Sequence, residues 1–269
     1  MKIMLKPFYS EKEIIELECH LKYLEEIQTY IYENISKLEN ESEVNKKKKE
    51  AISRIFLSQF FTFSSILSLL DSYLFADAFS LLRVLYEGNL RICQIGEGGE
   101  KAAIEFFATE IKDQYRKYNE MKNANFYEST PADDILFKKL EMDSIKAKER
   151  IGKVNWGRKE RLEQKDNIKQ SPLPTTMALD GMYARIWSIG SEYLHRSSLG
   201  ISDGYLLSEK PENSDYPFNR IPSIKVGLET ANWSSDLILT SFIFYSDSVN
   251  VDLTPELAKL HLKKFPWEK

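Results

Sequence analysis

The segment from Asp77 to Gln94 constrains the fold more than any other part of the sequence. A helix that is apolar on nearly all sides is usually buried. Apolar side chains cover most of the circumference of a helix built on this segment: Phe79, Leu81, Leu82, Val84, Leu85, Tyr86, Leu90, Ile92 and Cys93. The pattern therefore predicts a buried helix along the axis of a helical domain.

One narrow polar stripe interrupts this apolar surface. Its members are Ser80, Arg83, Glu87, Arg91 and Gln94. Because Arg83, Glu87 and Arg91 are four residues apart, they can pair in sequence along one face. Charges inside a helical core need partners, so the stripe indicates either a structural network or the lining of a pocket. The sequence leaves these two interpretations open.

Size and charge limit the class of protein. The chain has 269 residues and 42% hydrophobic content, which fits one domain with a helical extension. A net charge of -4 and a pI near 5.6 argue against a broad nucleic-acid surface, although a local basic patch is compatible with them. Cys19 and Cys93 lie in helical apolar patterns without CxxC spacing, which predicts reduced thiols in a cytoplasmic protein.

Neither the first residues nor any apolar run predicts membrane insertion. The opening segment, MKIMLKPFYSEKE, has no apolar run followed by a small-residue cleavage site. The longest uncharged run, Ile55 to Leu70, is shorter than the roughly 20 residues of a spanning helix and contains several polar side chains. We therefore expect a protein of the cytoplasm that has no membrane partner.

The first predicted helix, from Ser10 to about Asn40, carries a heptad seam. Apolar residues fall alternately three and four apart along it, and Gln28 fills one seam position. Ser10 and Glu13 form a capping box that predicts the start of the helix. The seam indicates either packing within the chain's own bundle or a dimer contact in which Gln28 fixes the register.

Apolar periodicity and capping signals predict the remaining helices. They lie at 51–73, 77–94, 100–123, 131–151, about 175–197, 224–246 and 255–262. No segment alternates with a period of two, so we predict an all-α multi-helix bundle without a sheet. The predicted organisation is an N-terminal long helix at 1–45, a core bundle at 46–201, a surface loop at 202–222, and C-terminal helices at 223–269 that pack on the core.

Two local signals concern the ends of helices. The run Lys46–Lys49 predicts a solvated helix start. Gly96, Gly98 and Gly99 predict a helix stop and a loop after the axial segment. No predicted strand precedes these glycines, so they do not form a phosphate-binding loop.

The strongest candidate for a catalytic group is His195. Tyr183, Trp187, Ser191 and His195 recur every four positions and therefore stack along one face of a helix. Ser191 and Arg196 give the imidazole polar neighbours. Taken alone, such a histidine is more often a hydrogen-bonded residue of the core or of a helix end.

A functional interpretation of His195 needs the polar stripe as well. If Arg83 and Glu87 face His195 across the bundle, an acid/base group is oriented by a carboxylate beside a fixed positive charge. Phosphodiester or acyl chemistry needs such an arrangement. We take His195, Arg83 and Glu87 as candidate catalytic residues. The candidate substrate-binding residues are Tyr193, Arg196, Ser191, Trp187 and Arg91.

No motif indicates a metal or a cofactor. The three histidines are scattered, and the phosphate-binding and HExxH zinc motifs do not occur. We expect no cofactor and, if the protein is an enzyme, chemistry without a metal. His20 lies among glutamates and His261 lies beside lysines, so neither has a setting like that of His195.

Three separated segments carry a resemblance to a known family. LLRVLYEGNLRI, VNWGR and YARIWSIGSEYLHRSS occur in this order between about Ser53 and Ile201. In this combination the chain resembles a bacterial family of unknown function, DUF5677. Its pattern is an Arg-x-x-x-Glu pair on an apolar helix, a tryptophan in the middle segment and a later Tyr/Ser/His signature. The resemblance implies an all-α fold and assigns no activity.

The last segment is also similar to the motif of HEPN ribonucleases, helical-bundle proteins of toxin and defence systems. In that motif an arginine precedes a histidine by four to six intervening residues at a dimer interface. Many DUF5677 members have an arginine seven positions before the histidine, whereas this chain has Ser188. Serine lacks the fixed charge that would stabilise a phosphorane-like transition state. We take Arg196 or Arg83 as the candidate that supplies this positive charge from a different position in the fold.

Two function hypotheses follow. The first is a cytoplasmic, homodimeric, HEPN-like RNA-cleaving or RNA-binding module of a defence or toxin-type system, with RNA and a protein of the same operon as partners. The charge stripe and the histidine row favour it. The second is a non-catalytic interaction or ligand-sensing module whose Arg/Glu/His network is structural. Ser188, the acidic balance and the heptad seam favour the second.

Overall fold

The computed structural model describes residues 8–38, 45–124, 130–151, 186, 205–207 and 220–262. Within these residues the chain forms helices α1 (Glu11–Ile35), α2 (Lys46–Asp71), α3 (Phe75–Asn123), α4 (Pro131–Ile151), α5 (Ile224–Ser248) and α6 (Thr254–His261), and strands β1 (Tyr205–Leu207) and β2 (Arg220–Pro222). The predicted all-α class is confirmed. The predicted helix ends at positions 123, 131 and 151 match those of α3 and α4.

Helix α1 begins with the predicted capping box. The Ser10 hydroxyl accepts from the Glu13 backbone N–H, and the Glu13 carboxylate accepts from the Ser10 backbone N–H at 2.9 Å. The heptad seam faces the same chain: Leu17, Leu24 and other seam residues are buried against α2 and α5. The side chain of Gln28 donates to the Ser64 hydroxyl of α2 at 2.7 Å. This seam is therefore used in packing within the chain.

Helix α3 differs from the prediction at its glycines. The predicted loop is absent, and the helix continues across a kink at Gly99, where φ is 63° and ψ is -149°. Gly96 and Gly98 keep helical geometry. Gly96 allows close packing, because a Cβ there would lie 2.5 Å from the ring of Phe244. Only Gly99 leaves the helical conformation, so the predicted interruption of the helix is confirmed at this one residue, whereas the predicted loop is wrong.

Glu100 connects this kink to the start of α2. Its carboxylate accepts from the backbone N–H groups of Lys47 at 3.1 Å and Lys48 at 3.0 Å. The first turn of a helix has free N–H groups and favours negative charge. The predicted lysine run therefore does begin a helix. The side chain of Asn45, at the N-cap position of α2, makes no capping hydrogen bond, and the Glu100 carboxylate of α3 caps the helix in its place.

The core lies where α2, α3 and α5 meet. Phe79, Leu82, Leu85 and Tyr86 of α3 are fully buried, as expected for the axial segment, whereas Val84 is 52% exposed. The axial helix is therefore buried on most of its surface but not on all of it. Aromatic rings fill the space between α2 and α5: Phe56 stacks on Phe242 and Tyr245 at centroid distances of 5.2 and 5.1 Å.

A short ribbon adds two strands to the segment that the sequence predicts as a surface connection. β1 and β2 pair antiparallel, with Leu206 opposite Ile221. Three residues per strand are too few for a period of two to be recognised in the sequence. The Tyr9 hydroxyl donates to the Pro222 carbonyl at 2.7 Å, so the ribbon is joined to the start of α1.

By length and composition, α2 is the one helix of the described part of the chain that could cross a membrane. Core helices of soluble proteins share this property. Phe56, Phe63 and Ile66 of α2 are buried against neighbouring helices. In this fold the apolar composition of α2 supplies core contacts.

Candidate functional site

The predicted Arg83–Glu87 pair is present on α3. Arg83 Nε donates to Glu87 Oε1 at 3.1 Å, and the two side chains are 18% and 24% exposed. The pair therefore lies at the edge of the bundle and not deep within it. A half-buried ion pair keeps more of its Coulomb attraction than an exposed one, because less solvent screens it.

The predicted ladder of charges does not extend to Arg91. That side chain is exposed, and within the described residues it forms no ion pair with Glu87. Lys and Arg heads commonly reach into water when the helix surface allows it. Arg91 is thus available at the rim of a cleft, where it lies beside Glu87.

A cleft of about 250 Å³ opens between α2 and α3 next to the ion pair. We call it the Gln59 cleft. Its lining combines guanidinium, carboxylate, hydroxyl and apolar groups: Arg54, Ile55, Ser58, Gln59, Thr62, Val84, Glu87, Gly88, Arg91, Phe106 and Glu110. The cleft offers acceptors and cations together, as a ligand with both donor and anionic groups requires.

A second cleft, of about 320 Å³, adjoins the first along α3. The two clefts share Arg91, Phe106 and Glu110. The second also has Lys117 and Asp113 in its lining. The two clefts are therefore neighbours along α3, and the partly exposed ring of Phe106 contributes to both.

Gln59 forms the floor of the first cleft. Its side chain is 3% exposed, and its Nε2 donates to the Leu85 carbonyl at 2.6 Å. Its Oε1 has no hydrogen-bond partner among the described residues. A Cβ at position 88 would lie 2.6 Å from Gln59 Nε2, so Gly88 makes room for the amide. The sequence did not indicate Gln59, because its partners lie on another helix.

The second half of the predicted site lies outside the described residues. His195, Ser191, Trp187, Tyr193 and Arg196 all belong to it. The structure therefore gives the positions of Arg83, Glu87 and Arg91. The approach of the imidazole to the ion pair stays a prediction.

A buried polar cluster that the sequence did not predict joins α1, α5 and α6. Asp236 is 2% exposed, and its Oδ1 lies 3.6 Å from His261 Nδ1. His20 and Tyr23 of α1 are buried as well. His261 thus does have a polar setting, in contrast to the prediction. Sequence patterns do not reveal this contact, because Asp236 lies in a strongly apolar helix and is distant from His261 in the chain.

Tyr23 of this cluster is buried close to the negative charge of Asp236. Its pKa is raised far above the ordinary value by burial, then by the charge of Asp236, then by that of Glu26. Its hydroxyl has no hydrogen-bond partner among the described residues. A buried hydroxyl without a partner costs about 1–3 kcal/mol.

We expect Tyr23→Phe to raise the free energy of unfolding by about 1 kcal/mol at pH 7, because it removes this hydroxyl. The folded-state pKa is raised, so the folded chain keeps a proton that the unfolded chain loses near pH 10. The wild type should therefore lose stability above pH 10, and Tyr23→Phe should lose less. Urea titrations at pH 7 and pH 10.5 measure both effects. Tyr32→Phe, at an exposed position, is the control. Equal pH responses of wild type and Tyr23→Phe would contradict the expectation.

The described residues contain no group of three or more His, Cys, Asp or Glu side chains placed to hold a metal. Both cysteines are free thiols. Burial raises the pKa of the Cys93 thiol, and its Sγ donates to Asn89 Oδ1 at 3.7 Å. Cys93 is therefore a packing residue with low reactivity.

Comparison with known proteins gives one match. A family model described as a family of unknown function (DUF5677) matches residues 49–214. The match covers α2, α3, α4 and β1, so it includes the Arg83–Glu87 pair and the Gln59 cleft. No curated protein is detectably similar in sequence, and no solved structure is detectably similar in fold.

Proposed function

The chain belongs to the family of unknown function DUF5677, and we propose that it is a HEPN-like RNA-cleaving or RNA-binding module of a bacterial defence or toxin-type system. The observation that supports the proposal is the half-buried Arg83–Glu87 pair beside a cleft with Arg91 and Arg54 at its rim. Guanidinium groups bind phosphate oxygens with two parallel hydrogen bonds. A local cluster of this kind can bind RNA although the net charge is -4.

The proposed reaction needs no metal. His195 takes the proton of a ribose 2′-hydroxyl, O2′ attacks the adjacent phosphorus, and the P–O5′ bond breaks as O5′ takes a proton from water. The proton held by His195 then passes to the hydroxide that this water leaves behind. The products are a 2′,3′-cyclic phosphate and a 5′-hydroxyl. Arg83 stabilises the negative charge that develops on the phosphoryl oxygens, and Glu87 holds the guanidinium in place. Tyr193, Arg196, Ser191, Trp187 and Arg91 bind the RNA around the reacting phosphate.

We also propose that the protein is a homodimer and lies in the cytoplasm. A dimer is expected because the HEPN motif acts at a dimer interface. In this chain Ser188 replaces the arginine of that motif, so Arg83 supplies the fixed charge from another helix. A protein of the same operon is the proposed further partner, in keeping with a toxin-type system.

Incubation of the purified protein with structured and single-stranded RNA in EDTA tests the proposal. We expect cleavage to fragments with 2′,3′-cyclic phosphate and 5′-hydroxyl ends, which end-labelling distinguishes from other termini. A binding measurement on uncleaved RNA accompanies it. Absence of both cleavage and binding for every RNA would overturn the proposal. Cleavage that requires a divalent cation would overturn the mechanism.

A specific observation also favours a non-catalytic module. The Arg83 guanidinium is already paired with a carboxylate of its own helix at 3.1 Å, an arrangement that stabilises many helices without any catalytic role. In this alternative, the Arg/Glu/His network is structural and the cleft binds a ligand or a protein. The two functions differ in what the loss of Arg83 changes, namely the rate of cleavage or the free energy of unfolding.

A further inference from the structure

Helix α4 has an apolar face that stays open to solvent. Ile135, Met142 and Ile145 are 72%, 57% and 55% exposed. They are seven and three residues apart in the sequence, so they share one side of the helix. Ser144 and Ala147, on the opposite side, are buried. The outward side of α4 is therefore apolar, although a surface helix usually turns its polar side to water.

The contacts of α4 with the rest of the fold lie on its other side. Among the described helices, α4 packs extensively on α3 alone, along the part of α3 that follows the Gly99 kink. Phe137 stacks there on Tyr115 and Tyr118, at centroid distances of 5.5 and 5.2 Å. The described residues of the main core include none from α4. Because helical stability in proteins comes mostly from the packing of apolar faces, this two-helix arm gains stability if its outer face is covered.

Charged residues border the apolar face, with opposite signs on its two edges. In heptad notation Ile135, Met142 and Ile145 occupy the core positions a, a and d. The g positions on one edge are acidic and the e positions on the other edge are basic. These four exposed side chains are Asp134 and Glu141 at g, and Lys139 and Lys146 at e. The two edges are therefore complementary to each other in charge.

This charge pattern selects one orientation for two α4 helices that meet face to face. In a parallel pair, a g residue meets the e residue five positions further along the other helix. Asp134 then faces Lys139 of the second copy, and Glu141 faces Lys146 of the second copy. Two-fold symmetry repeats both pairs. An antiparallel pair would instead bring each edge against the same edge of the other helix, lysine against lysine and carboxylate against carboxylate, which is repulsive.

Two contacts within the arm use the same carboxylates. Asp134 Oδ1 lies 3.7 Å from Lys122 Nζ, and Glu141 Oε1 accepts from the Tyr115 hydroxyl at 3.4 Å. Both contacts are long and lie at the surface, where such pairs contribute little. A carboxylate has two oxygens and accepts several hydrogen bonds, so each acid can also bind a lysine of a second copy.

We propose that the outer face of α4 binds the same face of a second copy of the chain, in a parallel and in-register pair. Apolar side chains at three of the four core positions exclude water, and the acid–lysine pairs select the second copy as the partner. Lys138 occupies the remaining core position, where a lysine lowers the affinity but keeps its ammonium in water at the edge of the contact. The proposed function includes a homodimer formed at the histidine motif, whereas the α4 contact uses a different surface and does not depend on RNA.

Sedimentation equilibrium of the full chain, without RNA, measures the dimer. We expect a concentration-dependent dimer of the wild type, and Met142→Lys should weaken it at least about tenfold, because two ammonium groups would meet in the core of the contact. Leu136→Lys is the matched control, since that leucine is 49% exposed on the same helix but lies away from the outer face. Its variant should dimerise like the wild type. A wild-type monomer at every concentration, or equal dissociation constants of Met142→Lys and the wild type, would overturn the proposal.

An exchange of charges tests the orientation separately. Glu141→Lys should weaken the dimer about threefold to tenfold at low salt, because the new lysine faces Lys146 of the second copy on both sides of the pair. Glu141→Lys combined with Lys146→Glu restores opposite charges across a parallel pair and should restore the wild-type dissociation constant. Equal affinities of Glu141→Lys and the wild type, or no recovery in the double variant, would overturn the parallel pair. Absence of RNA cleavage would overturn the proposed function alone, since none of these measurements contains RNA.

Discussion

Replacement of His195 by alanine is expected to lower the rate of RNA cleavage by about 10²–10⁴-fold, the usual contribution of a general acid or base. The proposed mechanism gives the imidazole the only proton-transfer step at the 2′-hydroxyl. RNA binding should change little, because the charged groups of the cleft remain. The measurement is single-turnover cleavage with saturating protein, together with a thermal melt. His261→Ala is the matched control, since that imidazole lies beside Asp236 in the buried cluster. Its variant should keep the cleavage rate.

Arg83→Ala extends this prediction to the ion pair. Loss of a preorganised group that stabilises developing charge costs about 10²–10³-fold in rate. The chain contains its own control in Arg116, which pairs with Glu120 at the same spacing and at 3.0 Å. These two side chains are 58% and 62% exposed. Arg116→Ala should therefore leave both cleavage and stability unchanged.

The opposite pattern would favour the non-catalytic module. If His195→Ala and Arg83→Ala cleave like the wild type but unfold more easily by about 1–3 kcal/mol, the groups form a structural network. The half-buried position of Arg83 makes this a real alternative, because solvent does not fully screen its pairing with Glu87. The combination of rate and melt separates the two functions.

The helices could be predicted because their signals are local. The capping box joins Ser10 to Glu13, only three residues away, and it is present in the structure. The axial segment was recognised from its apolar circumference. Such signals depend on the neighbouring turns of one helix and not on the rest of the fold.

The glycines of α3 show where local signals are insufficient. Gly96 was interpreted as part of a helix stop, although its role is to let the Phe244 ring approach the backbone. A glycine that ends a helix and a glycine that allows close packing cannot be distinguished in the sequence. Only the position of α5 decides between them, and that position depends on the whole bundle.

The candidate site was predicted in its intrahelical part alone. Arg83 and Glu87 pair within one helix, so their four-residue spacing predicts the contact. Gln59 contacts Leu85 on the next helix, and Asp236 lies beside His261 on another. A lone glutamine or aspartate in an apolar helix carries no sign of which distant partner it meets. The polar contacts between different helices are therefore the ones that sequence patterns missed.

Asn89→Leu is expected to lower the free energy of unfolding by about 3 kcal/mol, the largest stability effect that we predict for a single side chain. The Asn89 amide is fully buried and donates to the Leu237 carbonyl and to the Ser241 hydroxyl, both at 3.0 Å. Leucine has a similar size but no donor, so two hydrogen bonds between α3 and α5 are lost and the Ser241 hydroxyl is left buried without one of its partners. Urea titration at pH 7 measures the loss.

A double substitution distinguishes this explanation from simple repacking. Ser241→Ala removes the stranded hydroxyl, so Asn89→Leu combined with Ser241→Ala should be more stable than the sum of the single effects predicts. Asn34→Leu is the matched control, because that amide donates to the Tyr30 carbonyl of its own helix and is only partly buried. Its cost should stay within about 1 kcal/mol. The explanation is contradicted if the effects of the two single substitutions are additive and Asn34→Leu costs as much as Asn89→Leu. In that case apolar contacts alone hold α3 against α5.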